Sequence, residues 1–232
     1  MEWLTDLFTM QFLTALLSIV VIDLVLAGDN AIVIALAARN LPPHLQKKAI
    51  VWGTIGAVVV RSAMTIGVVW LLKIPGLMLV GGLALVWIAY KLLSDENGED
   101  EHGAPATTLA GAMKTIIIAD AVMGVDNVLA VAGAAHGSFL LVVLGLLISI
   151  PIVVWGSRLV LKLMSRYPVI IYLGAGVLAF TAAKMILGEP LVKPFFAANP
   201  ALAWLLYAVI IGGVLGAGYL VQKRRAPAVE SQ

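Results

Sequence analysis

Two short elements of the sequence carry the residues with the clearest capacity for chemistry. Each element has an aspartate, five intervening residues, a second aspartate and an asparagine. The six residues are Asp23, Asp29, Asn30, Asp120, Asp126 and Asn127. Carboxylate and carboxamide oxygens are hard ligands suited to Mg²⁺, Ca²⁺ or Mn²⁺, so two facing elements predict a single cation site. Met123 lies within the second element; its thioether would favour Mn²⁺, although a packing methionine is the simpler interpretation.

All four carboxylates fall inside long apolar stretches, where an unpaired charge is costly. A charge at the centre of a membrane-spanning helix costs roughly 2.5–3.5 kcal/mol on insertion scales. The acids must therefore face one another, a polar cavity, a cation or internal bases. The bases available are Arg61, Arg158, Lys91 and Lys184. One interpretation is purely structural pairing with these bases. A mixed hypothesis is that an arginine holds an acid until a cation replaces it.

The two elements belong to an internal repeat. Four pairs of polar residues recur at an offset of 97 positions: Asp23 with Asp120, Asp29 with Asp126, Asn30 with Asn127, and Arg61 with Arg158. Lys91 and Lys184 follow at an offset of 93, since the intervening loops differ by four residues. Each unit contains three predicted helices. Because three is odd, successive units insert in opposite orientations, a design of transporters whose substrate lies near the midplane where the units meet.

The composition shows which elements must position these residues. The chain has 232 residues, of which 62% are hydrophobic and 12% charged, and its mean hydropathy is +1.04. Soluble domains are typically about 45–50% apolar and about 25% charged, so the natural solvent of this chain is a bilayer. Apolar runs of roughly 18 residues or more predict membrane-spanning helices. Seven such runs lie near 10–37, 49–72, 75–94, 109–135, 138–164, 168–187 and 201–222.

The predicted fold class is therefore all-α: a polytopic membrane protein with seven transmembrane helices, an inverted repeat of two three-helix units and a seventh helix. The divisions expected are a first three-helix repeat over 1–94, an acidic loop over 95–108, a second repeat over 109–190, and the seventh helix with a basic tail over 191–232. The acidic loop is interpreted either as a solvated linker or as a low-affinity segment that gathers cations.

Helix geometry relates the two aspartates of each element. A helix turns about 100° per residue, so Asp23 and Asn30 share a face while Asp29 lies about 120° away from Asp23. Gly28 precedes Asp29, and Gly124 lies two residues before Asp126. Because glycine weakens helices and tolerates unusual backbone angles, we predict that both helices kink or unwind there and turn the second aspartate inward.

Basic residues in the short loops predict the orientation in the membrane. One face collects most of them: Arg39, Lys47, Lys48, Lys162, Arg166, Lys223, Arg224 and Arg225. The other face collects mainly Lys73 and Lys193. Since basic loops stay in the cytoplasm, we predict an external N-terminus, a cytoplasmic C-terminus and a cytoplasmic acidic loop.

Several function classes are disfavoured. The chain has no cysteine, which removes thiol catalysis and zinc–thiolate sites. No basic stripe suggests nucleic acid, and no P-loop suggests ATP binding. The histidines, His44, His102 and His136, lie in or near predicted loops without a nucleophile or a metal-ligand spacing around them. We therefore predict no enzyme and no prosthetic group.

The elements DLVLAGDNA and DAVMGVDNV resemble the paired acidic motifs of the TerC family of integral membrane proteins, most closely its seven-span bacterial branch (the YjbE type). The resemblance covers nearly the whole chain. It implies a metal exporter of the bacterial inner membrane, related to the LysE-type transporter superfamily, with Mn²⁺ as the best-supported substrate. It also implies that the acids and asparagines of both motifs hold the metal. The acidic motifs do not suit an oxyanion such as tellurite.

The leading functional hypothesis is a secondary transporter that exports a divalent cation, above all Mn²⁺, in exchange for protons or Na⁺. One alternative is a LysE-like exporter of an amino acid or other small cation. Another is a non-transporting membrane partner that helps proteins insert or receive metal, since Gly and Ala residues allow close helix contacts. The expected partners are the divalent cation and the lipid bilayer; the sequence also allows a homo-oligomer.

Overall fold

The structure is a computed structural model that describes residues 9–71, 74–94, 108–135 and 138–225. Some helical side chains lie outside the description: Leu26, Val68, Val69, Asp126, Leu129, Arg224 and Arg225. Several sequence predictions also fall outside the described residues: those on the acidic segment 95–107, Lys73, His102 and His136. Thr108, the last residue of the predicted acidic loop, is described; its hydroxyl accepts a hydrogen bond from the Gly111 amide at 3.1 Å and caps the helix that follows.

The described part of the chain is helical and has no strand, which confirms the all-α prediction. The elements are α1 (Met10–Ala38), α2 (Pro43–Ile66), α3 (Val68–Leu71), α4 (Leu77–Ser94), α5 (Leu109–Ala134), α6 (Phe139–Arg166), α7 (Val169–Gly188), α8 (Lys193–Ala198) and α9 (Pro200–Arg225). Five of these helices are long and apolar enough to cross a membrane, or six if the two segments of α1 form one bent span. The seven transmembrane helices predicted are compatible with this set, and the exact number stays a prediction.

The helix bounds follow local chemistry. α2 begins at Pro43, six residues before the predicted start, because proline suits the first helical position. It ends at Ile66 with Gly67 as its C-cap, and the short α3 covers most of the remaining predicted run. α6 continues through Pro151 without a break. Membrane helices tolerate proline where neighbouring groups satisfy the freed backbone oxygen.

The helices of the two predicted units pair reciprocally. α1 packs most extensively against α6, α2 against α5, and α4 against α7. The first helix of each unit thus contacts the second helix of the other, and the third contacts the third. A two-fold relation between two copies produces this pattern. α9 packs on α4 and α7, outside the six paired helices. The division into two repeats and their opposite orientation remain predictions that this pairing supports.

Glycines let the paired helices approach closely. A Cβ atom on Gly53 of α2 would lie 2.7 Å from Ile116 Cδ1 of α5, and one on Gly145 of α6 would lie 2.4 Å from Ile19 Cγ2 of α1. Both distances are shorter than carbon atoms tolerate, so each site requires a glycine or a local shift. Ile19 and Ile116 are 97 positions apart (116 − 19 = 97). Each unit therefore places the same isoleucine against a glycine of the other unit.

α1 is bent in the middle of its acidic element. The axes of Met10–Val25 and Ala27–Ala38 meet at 48°, with the break two residues before Gly28. This bend confirms the kink predicted for α1, and the kink predicted in α5 near Gly124 stays a prediction. The backbone stays helical through Gly28, and α5 stays helical through Gly124 and Val125. The unwinding considered for both segments is therefore wrong, and no backbone carbonyls are released as ligands by it.

Candidate cation-binding site

Arg61 of α2 lies between two aspartates that come from different predicted units. Its Nη1 donates a hydrogen bond to Asp23 Oδ1 of α1, and its Nη2 donates to Asp120 Oδ1 of α5. The exposed fractions of these residues are 3% for Arg61, 3% for Asp23 and 8% for Asp120. Asp23 and Asp120 are equivalent positions of the predicted repeat, so one guanidinium joins corresponding residues of the two predicted units.

The Arg61 side chain packs against α5 beside Gly124, which follows Asp120 by one helical turn. A Cβ atom on Gly124 would lie 3.9 Å from Arg61 Nε, an ordinary van der Waals distance. The backbone carbonyl of Arg61 accepts a hydrogen bond from Thr65 Oγ1 at 2.8 Å. The hydrogen bonds to Asp23 and Asp120 therefore fix the tip of the side chain.

The charges of this trio do not balance. With both carboxylates ionised, one guanidinium against two acids leaves a net charge of −1 (+1 − 2 = −1) in a buried place. Asp120 Oδ2 and Arg61 Nε have no hydrogen-bond partner among the described residues, and neither has Asn30 Oδ1 nearby. Buried polar atoms are normally satisfied by protein, water or ions. These atoms therefore mark a place that a water molecule or a cation is expected to complete.

A small cavity adjoins the trio. Its volume is about 20 Å³. The polar residues that line it are Asp23, Asn30, Thr54, Arg61, Asp120 and Ser149. The hydroxyls of Thr54 and Ser149 donate to backbone oxygens of their own helices, at 2.7 Å to Ile50 and 3.0 Å to Gly145, which leaves their oxygen lone pairs available as acceptors. About 10–15 Å³ is enough for one water-sized particle, so the cavity suits a single water molecule or a single metal ion.

The structure brings some of the predicted site residues together and separates others. Asp23, Asn30 and Asp120 line the cavity. Asp29 is half-buried on another side of α1, where its Oδ2 accepts a hydrogen bond from Thr181 Oγ1 of α7 at 3.1 Å. Asn127 is half-buried and does not line the cavity. The Asp126 side chain lies outside the described residues, so the six-residue site remains a prediction.

The other residues raised by the sequence occupy different environments. Met123 is buried in the main apolar core, which agrees with a packing role. Arg158 and Lys184 are exposed. The Lys91 ammonium lies 5.2 Å from the centroid of the Trp87 ring, a cation–π contact at the end of α4. Of the four bases considered as partners of the acids, Arg61 forms ion pairs with them in the described part of the chain.

Three residues near the acids were not predicted. Thr54 lies seven residues before Arg61, so helical spacing alone places it on the same face and could have identified it. Ser149 and Thr181 carry no such signal, because they contact the site from α6 and α7 only through the packing of those helices. No group of three or more His, Asp or Glu side chains in the described residues has metal-site geometry, so any cation here would need the amide and hydroxyl oxygens as well.

Comparison with known proteins gives a consistent result. A model of the integral membrane protein TerC family matches residues 8–226. The membrane protein YjbE of Bacillus subtilis is 42% identical over 213 residues, which are 92% of this chain and 97% of that protein. The inner membrane protein YgdQ of Escherichia coli is 23% identical over 202 residues, 80% of this chain and 84% of that protein. YegH of Escherichia coli is 26% identical over 192 residues, which are 75% of this chain but 36% of that longer protein. No solved structure matches the chain.

Proposed function

We propose a function on the premise that this chain belongs to the integral membrane protein TerC family: it is a secondary transporter that exports a divalent cation from the cytoplasm. Family membership supports an integral membrane protein of transporter-like character. The observation that carries the finer proposal is the contact of Arg61 with both Asp23 and Asp120. The two buried, equivalent carboxylates already bind one cationic group, the guanidinium of Arg61.

Arg61 acts in this proposal as the internal substitute for the transported ion. The two carboxylates carry −2 together, and the guanidinium reduces this to −1. A divalent cation in place of the guanidinium brings the pair to zero (+2 − 2 = 0), provided that the displaced guanidinium moves away from the two acids. When the cation leaves, the guanidinium returns and prevents two bare carboxylates from facing each other in a low-dielectric site. An arginine suits this exchange because its planar fork can bind two carboxylates at once and stays charged at any physiological pH.

The ligands available favour a hard metal ion. Asp23, Asp120 and Asn30 supply carboxylate and amide oxygens, and the hydroxyls of Thr54 and Ser149 line the same cavity. This oxygen set suits Mn²⁺, Mg²⁺ or Ca²⁺. A cavity of about 20 Å³ fits one dehydrated ion better than an amino acid, which disfavours the LysE-like alternative. The preference for Mn²⁺ among these metals rests on the family resemblance.

Export against the membrane potential needs a driving ion. Moving one charge outward against an inside-negative potential costs about 2.3 kcal/mol per 100 mV, and a divalent ion costs about twice that. We propose proton or Na⁺ entry as the source, with Asp29 and its Thr181 partner as a second carboxylate station near the first. The external N-terminus and cytoplasmic C-terminus belong to the same proposal, in the inner membrane of a bacterium.

The test is Mn²⁺ flux into sealed proteoliposomes, reported by an enclosed metal-quenched dye, with and without imposed pH and Na⁺ gradients. Native protein is expected to move Mn²⁺ in a gradient-dependent way, and Asp23→Asn and Asp120→Asn are each expected to reduce flux at least tenfold, because each removes half of the charge that holds the ion.

The matched control is Ser18→Ala, an exposed site on α1 whose hydroxyl donates to a backbone oxygen of its own helix, that of Thr14. Flux that is the same in native protein and both aspartate variants would remove the site from the mechanism. An absence of flux in all proteins, including the native one, would favour the non-transporting partner.

A further inference from the structure

A second polar feature lies away from the acidic cavity, at one end of the helices. A groove of about 650 Å³ opens between the α1–α2 connection, the end of α6 and the start of α7. Among the residues that the structure describes, its lining includes four basic residues, Arg39, Lys47, Arg158 and Lys162, and no acid. We call this the basic groove. It joins the first predicted unit, which supplies Arg39 and Lys47, to the second, which supplies the other two.

The charge of the basic groove is the reverse of what the proposed cation needs. Lys47, Arg158 and Lys162 are exposed, and clustered like charges repel one another unless an anion lies among them. A divalent cation approaching the four positive residues would be repelled. The groove is therefore unsuited as a cation entrance, and its charges call for an anionic ligand.

The rest of the lining is amphipathic. Leu161 and Ile171 form a partly exposed apolar wall, the buried Ile50 and Met164 also line the groove, and Gln46 and Ser165 add polar groups. A small inorganic anion would make no favourable contact with the apolar wall. A phospholipid presents a charged phosphate beside a glycerol and two acyl chains, so it can contact both the basic residues and the apolar ones. The groove also lies where helices end, close to the last residue of α1 (Ala38), the first of α2 (Pro43) and the last of α6 (Arg166). Helix ends of this kind lie at the level of the lipid headgroups.

We infer that the basic groove binds the headgroup phosphate of an anionic phospholipid, with its apolar wall against the upper part of the acyl chains. Basic pockets between membrane helices are known to recognise such headgroups. A lipid bound here contacts α1–α2 on one side and α6 on the other, so it links the two predicted units at this end of the bundle. The inference stands whether or not the acidic cavity transports a metal.

The experiment uses the full chain in a neutral detergent and follows its unfolding temperature as lipid is added. Phosphatidylglycerol is expected to raise that temperature with a saturable midpoint, and phosphatidylcholine is expected to leave it unchanged. The variant Arg158→Gln/Lys162→Gln is expected to need about 30-fold more phosphatidylglycerol for the same effect, since each basic residue near a headgroup contributes about fivefold in affinity. The control Lys184→Gln/Lys193→Gln removes the same charge from exposed positions outside the groove and is expected to keep the native midpoint.

Three results would overturn the inference. The first is an unchanged midpoint in Arg158→Gln/Lys162→Gln, and the second is equal stabilisation by phosphatidylcholine. The third is an equal response to inorganic phosphate at the same concentration, which would make the ligand a soluble anion. If the double variant does not fold, Lys162→Gln alone is expected to shift the midpoint about fivefold, and no shift there would have the same meaning.

Discussion

Arg61 and Arg158 occupy equivalent positions of the repeat but opposite environments. Arg61 is buried and bridges Asp23 and Asp120, whereas Arg158 is exposed in the basic groove. The difference extends along the helices that carry them. α2 buries Thr54, Arg61, Ser62 and Thr65, and the residues 97 positions later on α6, which are Pro151, Arg158, Leu159 and Lys162, are all exposed. One copy of the helix turns this face inward and the other turns it outward.

This difference shows how a duplicated sequence can build a single site. Asp23 and Asp120 meet where the two units contact each other, so a cation between them is shared by both copies. A second guanidinium would have to occupy the same space. With Arg61 in place, the equivalent arginine is free to serve another purpose at the helix ends. In the predicted repeat, duplication therefore supplies two equivalent aspartates, while the departures from symmetry decide which other residues lie beside them.

The largest expected effect comes from removing the buried arginine. Arg61→Met leaves two buried carboxylates without a cation, and breaking a buried pair in this way costs about 3–5 kcal/mol. We expect this loss in the free energy of unfolding, measured by SDS titration in mixed micelles. The matched variant Arg158→Met removes the same side chain from an exposed position and is expected to change stability by less than about 0.5 kcal/mol.

The response of stability to added Mn²⁺ is a second measure of the difference between Arg61 and Arg158. In Arg61→Met the acid pair has a charge of −2 and no internal competitor, so Mn²⁺ is expected to stabilise this variant more than native protein while flux is lost. Equal losses of stability in Arg61→Met and Arg158→Met would contradict the asymmetry described above. A Mn²⁺ response in Arg61→Met no larger than in native protein would show that the guanidinium does not compete with the ion.

A buried acid outside the cavity tests whether burial alone explains the importance of Asp23 and Asp120. Glu189 is 2% exposed, and its carboxylate accepts hydrogen bonds from the amides of Gly76 at 3.0 Å and Met78 at 3.1 Å. It caps the start of α4 from the end of α7. Glu189→Gln is expected to cost about 1.5–3 kcal/mol, the usual contribution of hydrogen bonds to a charged group. Flux per folded molecule is expected to stay native, and a tenfold fall in that flux would extend the functional acids beyond the cavity.

Sequence periodicity and the repeat predicted much of this architecture. α5 was expected at 109–135 and is found at Leu109–Ala134, because its apolar run has clear polar limits. The shared face of Asp23 and Asn30 followed from helical spacing. The cost of burying charge also made pairing of the acids with internal bases, Arg61 among them, one of the interpretations, and Arg61 does pair with Asp23. The helix bounds and the shared face depend on the spacing within one helix, and the pairing depends on the high cost of burying an unpaired charge. The sequence alone indicates both the spacing and the buried charges.

Features that depend on how helices rotate against one another could not be predicted. Ser149 lines the cavity although its repeat equivalent, Trp52, is exposed. Arg61 and Arg158 occupy equivalent positions of the predicted repeat, and both were considered as partners of the acids. The packing of α2 and α6 places Arg61 beside Asp23 and Asp120 and leaves Arg158 exposed. Asp29 was expected to turn toward the other acids, but the 48° bend of α1 leaves it against Thr181 of α7. The direction of a kink follows from tertiary contacts that spacing does not encode.

The contact of Asp29 with Thr181 provides the smallest and most local test of asymmetry between the units. The residue of α4 equivalent to Thr181 is Ile88 (181 − 93 = 88), so this hydroxyl has no counterpart in the first unit. Thr181→Val keeps the shape and removes the donor, at an expected cost of about 1 kcal/mol in unfolding free energy. Because Asp29 is only half-buried, water can replace part of the lost bond.

The control Thr115→Val deletes a hydroxyl that donates only within α5, to the Gly111 oxygen at 3.0 Å. A change in the pH dependence of Mn²⁺ flux in Thr181→Val, absent in Thr115→Val, is expected if Asp29 carries the counter-ion. Identical pH profiles in both variants would confine Asp29 to a structural role and leave the cavity around Arg61 as the whole of the proposed ion pathway.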